Sequence, residues 1–429
     1  MKSFTATAAR AAVATTLAFA AAANATERDS LTTYFFPGVV VVANGVETPL
    51  NEVGGSVTVV SAEQLRSSQK TALLDVLRDT PGVDVTRTGG PGGQTSVFLR
   101  GANSEHTLIL VDGVEMNDPS NPSGAFDFAT LGVDNVERVE ILRGSQSVLY
   151  GSDAIGGVIN IVTREGRGTP VITASAEGGA YGTFREELAL RGADRRGSYA
   201  LSVSRTDADG ISATESLPEN EADGSAVSSF SGKLRLNLAE HAAVSLVARG
   251  SRSRTALDKS YSSYQNPGSF DDPNYDSDAR QVFVKSELDA TPAPDRLRTI
   301  VSAEFSAHRR RITDSDDATF GAGASDNQYD GEKFRAQARL IGEITDWNKL
   351  SAGVETEREL MDQRAYTEIS GARARTTGLY LLDQISVARR VYLTTGLRHD
   401  DHEFFGAHTT YRLTASVQAN DRGTRLKGS

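Results

Sequence analysis

An α+β globule followed by an antiparallel β-barrel is the fold class this chain predicts, and three observations carry it. From Asn135 to Thr163 the run NVERVEILRGSQSVLYGSDAIGGVINIVT reads as a strand, a tight glycine turn, a short helical segment and a second strand. Beyond Arg164, apolar and polar residues alternate with period two over most of the remaining chain. After the N-terminus no apolar run reaches the roughly 18 residues of a membrane-spanning helix, so a place in a membrane would require a barrel.

Composition narrows the class. At 429 residues the chain exceeds one ordinary domain, and 38% hydrophobic with 24% charged residues excludes a helical membrane bundle. The 45 basic residues are outnumbered by 56 acidic ones and scattered, which leaves no nucleic-acid footprint and no nucleic-acid partner. Zero cysteines fit an oxidising cell envelope, and 40 glycines favour many short strands and turns.

Residues 1–25 read as a signal peptide. Lys2 and Arg10 supply a positive start, Ala11–Ala22 an apolar core, and Ala23-Asn24-Ala25 an A-x-A cleavage site, so the mature chain is expected to begin at Thr26 and to be exported. Residues 26–52 form a polar linker ending in PGVVVVANGVETPL. Four consecutive valines behind Pro37-Gly38 have high strand propensity and no partner run of equal strength nearby. They are either a strand whose edge a partner protein completes or the first buried strand of the globule.

The globule spans 53–165. Ser56–Val60 is a strand; Ser61 is an N-cap with Gln64 at capping-box spacing, so a helix starts at Ala62. Thr71 likewise stands as a cap ahead of Ala72–Arg78, where Leu73, Leu74 and Leu77 share a face until Pro81-Gly82 stops the pattern. HTLILVDGVEMND is a hairpin turning at Asp112-Gly113. Two loops, Thr86–Ser96 and Glu115–Phe128, are rich in glycine and proline; Gly89–Gly93 lacks the Lys-Ser/Thr of a phosphate cradle.

From 166 to 429 the alternation repeats. Tyr199, Leu201 and Val203 oppose Ser198, Ala200, Ser202 and Ser204, and Leu234, Leu236 and Leu238 alternate with Lys233, Arg235 and Asn237. Val391, Leu393 and Leu397 oppose Thr394 and Arg398, while Tyr411, Leu413, Ala415 and Val417 oppose Arg412, Thr414, Ser416 and Gln418. A barrel in lipid would turn the apolar face out; a soluble sandwich would turn it in. Short turns at Ala193–Gly197, Ala239–Ala242, Thr291–Arg296, Thr345–Lys349, Ala388–Arg390 and Asn420–Gly423 alternate with long polar segments at Thr206–Ser228, Thr255–Ser277, Thr313–Asp330 and Ala365–Arg375, the connection pattern of an outer-membrane barrel. Tyr181, Phe184, Tyr380, Tyr392 and Phe404-Phe405 are candidates for interfacial aromatic girdles.

Together with LLDVLRDTPGVDV (Leu73–Val85) and SVFLRGANSEHTLILVDGVEMND (Ser96–Asp118), the Asn135–Thr163 run closely resembles the plug domain of TonB-dependent outer-membrane receptors, in that family's order. The resemblance implies a plug at 53–165 inside a barrel of about 22 strands. About twelve are countable between Pro170 and Gln418, so the expected fold is an α+β plug followed by an incomplete transmembrane barrel, truncated before closure. It implies a TonB box at Gly38, Val39, Val40, Val41, Val42, Ala43 and Asn44, pairing with the periplasmic TonB energy-coupling protein by strand addition. Apical plug loops of this family contact ligand, which singles out Gly92, Gln94, Ser96, Asn117, Ser120 and Asn121.

VVVVANGVETPL resembles the box and linker of the cobalamin receptors in that family, whose corresponding strands carry aspartate-rich loops. Here Asp207, Asp209, Glu221 and Asp223 in one loop and Asp271 and Asp272 in the next supply hard oxygen ligands suited to calcium; the spacing is not an EF-hand, and a solvated acidic loop is the simpler reading. No cofactor is otherwise required. No G-x-S-x-G elbow or H-E-x-x-H motif is present, and alternation splits the Arg398–Glu403 cluster between two faces, so no enzyme is expected. The expectation is a TonB-energised transporter of a large scarce nutrient, cobalamin first. An iron-siderophore receptor, a passive porin or adhesin, and a non-functional truncated product are the alternatives.

Overall fold

The computed structural model describes residues 39–40 and 44–429 except 89, 91, 122, 134, 213–221, 264–265, 271–274, 295, 316–323, 366 and 421–423. The signal peptide and, within the box, Gly38, Val41, Val42 and Ala43 lie outside the described residues.

Two residues of the valine run, β1 (Val39–Val40), pair antiparallel with β2 (Thr48–Pro49), so part of the segment finds a partner inside its own linker. The globule follows: β3 (Ser56–Ser61), α1 (Ala62–Ser68), α2 (Leu73–Arg78), β4 (Val83–Arg87), β5 (Thr95–Leu99), β6 (Thr107–Val111), β7 (Val114–Glu115), β8 (Val136–Arg143), α3 (Ser147–Tyr150) and β9 (Gly157–Thr163). Its main sheet runs β3-β8-β9-β6-β7, with β6 and β9 parallel and the other neighbours antiparallel. Val139, Ile141 and Ile159 are fully buried against Leu73, Leu74 and Leu77 of α2, which explains why those leucines share one helix face.

Local signals hold where they act locally. Ser61 caps α1 with the full capping box, its hydroxyl accepting from the Gln64 amide and the Gln64 side chain accepting from the Ser61 amide. Asp112 (φ 51°) and Gly113 (φ 75°) make the left-handed turn between β6 and β7. Thr71 does not cap α2: the N-cap is Ala72, without a side-chain bond, and the Leu73 N–H donates to the Leu131 carbonyl, 3.2 Å away. A carbonyl from distant chain does what the hydroxyl was expected to do.

The second body is one antiparallel sheet of thirteen strands in chain order: Val171–Gly178, Phe184–Asp194, Gly197–Ala208, Ser225–Ala239, Ala242–Ala256, Tyr275–Ala293, Leu297–Asp314, Ser325–Thr345, Asn348–Arg364, Glu368–Val387, Val391–His402, Gly406–Gln418 and Arg425–Gly428. The first and last each have one neighbour among the described residues, so the sheet curves around the plug without closing. Its faces are inverted relative to a soluble protein. Leu201, Val203, Leu234, Leu236, Tyr411 and Leu413 are exposed, while their alternates Ala200, Ser202, Arg412, Thr414 and Ser416 are buried toward the plug.

Five of the six short turns fall between strands where expected; the sixth, at 420–423, lies mostly outside the described residues. Two long segments differ: 255–277 contains its own hairpin, Lys259–Ser263 with Asn266–Phe270, and 365–375 is mostly strand, because the wall continues from Glu368. Tyr380 is also not interfacial. It is buried against Val148 and Leu149 of α3, because Leu379 and Leu381 take the outward parity of that strand.

Candidate functional site: an apical face, a buried latch and an N-terminal strand

The plug presents opposite ends to the two rims of the wall. At the long-connection rim, the β4–β5 loop reaches the wall through Gly92, whose carbonyl accepts from the Thr255 hydroxyl at 3.4 Å. Gly92 has φ +91°, and an added Cβ would lie 2.6 Å from the Ser225 Cβ, so only glycine permits this approach. Gln94 is exposed at the tip, its carbonyl accepting from the Thr88 amide, and Ser96 is half-buried opposite Thr86.

The β7–β8 loop supplies the other candidates, and most of their polar capacity is spent inside the plug. Asn117 is buried: its Oδ1 accepts from the Ile109 amide at 3.0 Å and its Nδ2 donates to the Thr107 carbonyl at 3.4 Å. Ser120 is fully buried, donating through N and Oγ to Asp118 Oδ1 at 2.8 and 2.7 Å. Asn121 bonds the Ala125 carbonyl and Ser123. These three shape the loop; Gln94 is the candidate whose side chain is most open.

The described aspartates expected to share an ion each have other neighbours. Asp207 makes a two-pronged pair with Arg205, at 2.6 and 2.8 Å. Asp209 packs on the turn at Gly182, and buried Asp223 lies beside the plug loop at Gly90. Glu221, Asp271 and Asp272 lie outside the described residues. Among the described residues no group of three metal-capable side chains converges.

Between the rims sits a charge cluster that sequence reading missed. Glu115 of β7 is buried between Lys333 (2.6 Å) and Arg335, which share one wall strand and one parity. Lys333 also meets Glu359 at 2.7 Å, Glu357 at 3.6 Å and Asp153 of the plug at 3.9 Å, and Arg335 meets Glu357 at 2.7 Å. Further along the wall, fully buried Arg398 holds Glu355 and Asp400 and donates to the Leu149 carbonyl of α3. Such a network is costly to break on one side, because each orphaned ion stays desolvated. A signal existed: Lys333-Phe334-Arg335 alternates charges onto one face of a strand whose other face is apolar. Burial also raises the Asp153 carboxyl to about 6, against the opposing pull of Lys333 and with the help of Glu115, Glu357 and Glu359.

At the short-turn rim lies the N-terminal segment. The Gly45 carbonyl accepts from Arg339 at 2.7 Å, Val46 packs with Ile300 and Ile341, and the Asn51 carbonyl accepts from Ser416 at 2.8 Å. Buried Asn44 donates to the Thr48 hydroxyl. The outer edge of β1 has no strand partner among the described residues.

Comparison with known proteins places these parts. The family described as TonB-dependent Receptor Plug Domain matches residues 49–158, and the one described as TonB dependent receptor-like, beta-barrel, matches 176–429. The vitamin B12 transporter BtuB of Photobacterium profundum is 27% identical over 379 residues, 88% of this chain and 59% of that protein. A mutant of the ferric enterobactin receptor PfeA of Pseudomonas aeruginosa superposes with TM-score 0.69 at 20% identity, covering 90% of this chain and 62% of the other. The ferric yersiniabactin uptake receptor FyuA of Yersinia pestis superposes with TM-score 0.64 at 18% identity, covering 86% and 63%. The chain thus spans about three fifths of the length of these relatives.

Proposed function

The chain belongs to the TonB-dependent receptor family, and we propose that it serves an outer-membrane transporter that captures cobalamin at the plug apex and is energised from the periplasm by TonB. The carrying observation is the opposition of the two plug ends. Gly92 and Gln94 stand at the rim of long connections, where a ligand arrives, and β1 stands at the rim of short turns, where a periplasmic partner can add a strand. Calcium at the acidic loops, the outward apolar face in outer-membrane lipid, and a signal peptide at 1–25 belong to the same reading.

Cobalamin is favoured by the likeness in sequence to the vitamin B12 transporter, 27% identical over 88% of this chain. The siderophore receptors share the fold and supply the second reading, a ferric siderophore. Equilibrium binding to purified receptor separates them. Saturable binding of cyanocobalamin, undisturbed by excess ferric enterobactin, is expected; saturable binding of the siderophore alone would overturn the assignment.

A further inference from the structure

On the outer surface of the wall, just beyond the apolar band and toward the long-connection rim, the register lines up three arginines. Arg252 lies opposite Arg280, and Arg280 opposite Arg309, on three consecutive strands of the sheet. They point away from the plug, because their neighbours Ser251 and Gln281 bond each other on the inner face, where Gln281 also meets Thr130 of the plug. Like charges directly opposite across a ladder are destabilising. One carboxylate intervenes: Asp278 is shared by Arg252 at 2.6 Å, Arg254 at 3.2 Å and Arg280 at 3.3 Å. Arg309 and Arg311 pair with Asp330 and Asp326.

Beside this row lies a groove of about 530 Å³ lined by four arginines, Arg254, Arg280, Arg309 and Arg311, against two aspartates, Asp276 and Asp278. With Asp326 and Asp330 included, five arginines face four aspartates, a small local cationic excess in a chain of net charge −11, on a surface that needs no plug contact. Its height is informative. The next outward positions toward the short turns are Gly250, Val282 and Ala307, followed by Ala248, Val284 and Phe305, with Val282 and Phe305 exposed. At about 3.4 Å per residue, the arginine row lies about 7 Å along the strands beyond the first apolar row, about 5 Å of membrane depth at a barrel strand's tilt of roughly 40°, the step from acyl chain to headgroup.

We propose that the outward row Arg252, Arg280 and Arg309, with Arg254 and Arg311, binds the phosphate of an outer-leaflet glycolipid headgroup whose chains lie on the apolar band below. The inference rests on the outer-membrane reading above. A phosphate oxygen between opposed guanidiniums would relieve their repulsion through charge-assisted, two-pronged bonds. The acyl chains beneath are what select a lipid over a free anion.

The test uses receptor extracted from outer membranes into dodecyl maltoside and titrated with bisphosphorylated lipid A, with its dephosphorylated form, and with inorganic phosphate. Loss of the phosphates is expected to weaken binding at least tenfold, as is the triple variant R252Q/R280Q/R309Q. Asp278→Asn frees three arginines and is expected to tighten binding, a gain that misfolding does not imitate. Equal binding of both lipids, or displacement of lipid A by millimolar inorganic phosphate, would overturn the proposal. So would a triple variant that binds like the parent while keeping its heat-modifiable gel mobility. A chain absent from the outer-membrane fraction would overturn the transporter reading too, whereas an inserted chain indifferent to phosphate sinks this inference alone.

Discussion

Lys333 Nζ lies 2.6 Å from Glu115 Oε1, joining the wall to the plug through two side chains that are both almost completely buried. The contact spans 218 positions of sequence and sits among further carboxylates at 357, 359 and 153. Any movement of the plug must part it. Lys333→Met removes the cation while Glu359 stays in place, and is expected to cost about 3–5 kcal/mol of plug seating. Protease accessibility of the plug across a urea series measures this. The Glu115→Gln/Lys333→Met pair should cost less than the two single changes summed, since each then lacks an orphaned partner.

Asp153 gives that contact a pH dependence of unusual sign. Its carboxyl is raised to about 6 from 3.8, so the seated plug holds a proton that the released plug gives up. Stability from this group is complete below about pH 4 and declines as pH rises through about 6. With 40% of the side chain exposed, solvent keeps the amplitude small. Plug release measured at pH 5 and pH 7 should show firmer seating at pH 5, and Asp153→Asn should flatten the difference. A plug that loosens on acidification would contradict the assignment.

Val41→Pro removes a backbone donor from the proposed TonB box. Nutrient uptake should fall to the level of a TonB-deficient host, with ligand affinity within twofold of the parent. Uptake equal to the parent would favour a passive porin.

Calcium at the acidic loops predicts that a chelator weakens ligand binding and that calcium restores it, because the ion offsets repulsion among the carboxylates. Asp209→Asn with Asp223→Asn should reproduce the chelated state in calcium-replete buffer. Affinity indifferent to both treatments leaves a solvated loop and no ion.

Gly92→Val places a branched side chain at φ +91° and against Ser225. The expected result is at least tenfold weaker ligand binding with an unchanged denaturation midpoint for the wall, since the apical loop alone must move. Unaltered affinity would remove the loop from the ligand site.

The elements that sequence located correctly are those whose cause is local. Ser61 with Gln64, Asp112 with Gly113, and the five short turns among the described residues each depend on residues within a few positions of one another. Alternation around Leu201, Leu234 and Leu413 likewise needs only the pleat. Thr71 failed as a cap because Leu131, remote in sequence, reaches the Leu73 amide first.

For the candidate site, motif order and residue period suffice for the order of parts: an N-terminal strand, a plug with two polar loops, and a wall of apolar-out strands. Which side chains meet follows from packing. It spent Asn117 and Ser120 inside the plug, sent Asp207 to Arg205, buried Tyr380, and brought Glu115 to Lys333 and Arg252 to Arg280. Composition and period state which face a residue takes, since a strand has two faces and the pleat assigns them. The partner across the ladder or across the plug is set by register and docking, which are properties of the whole sheet curving over a folded core and leave no trace in any short window of the chain.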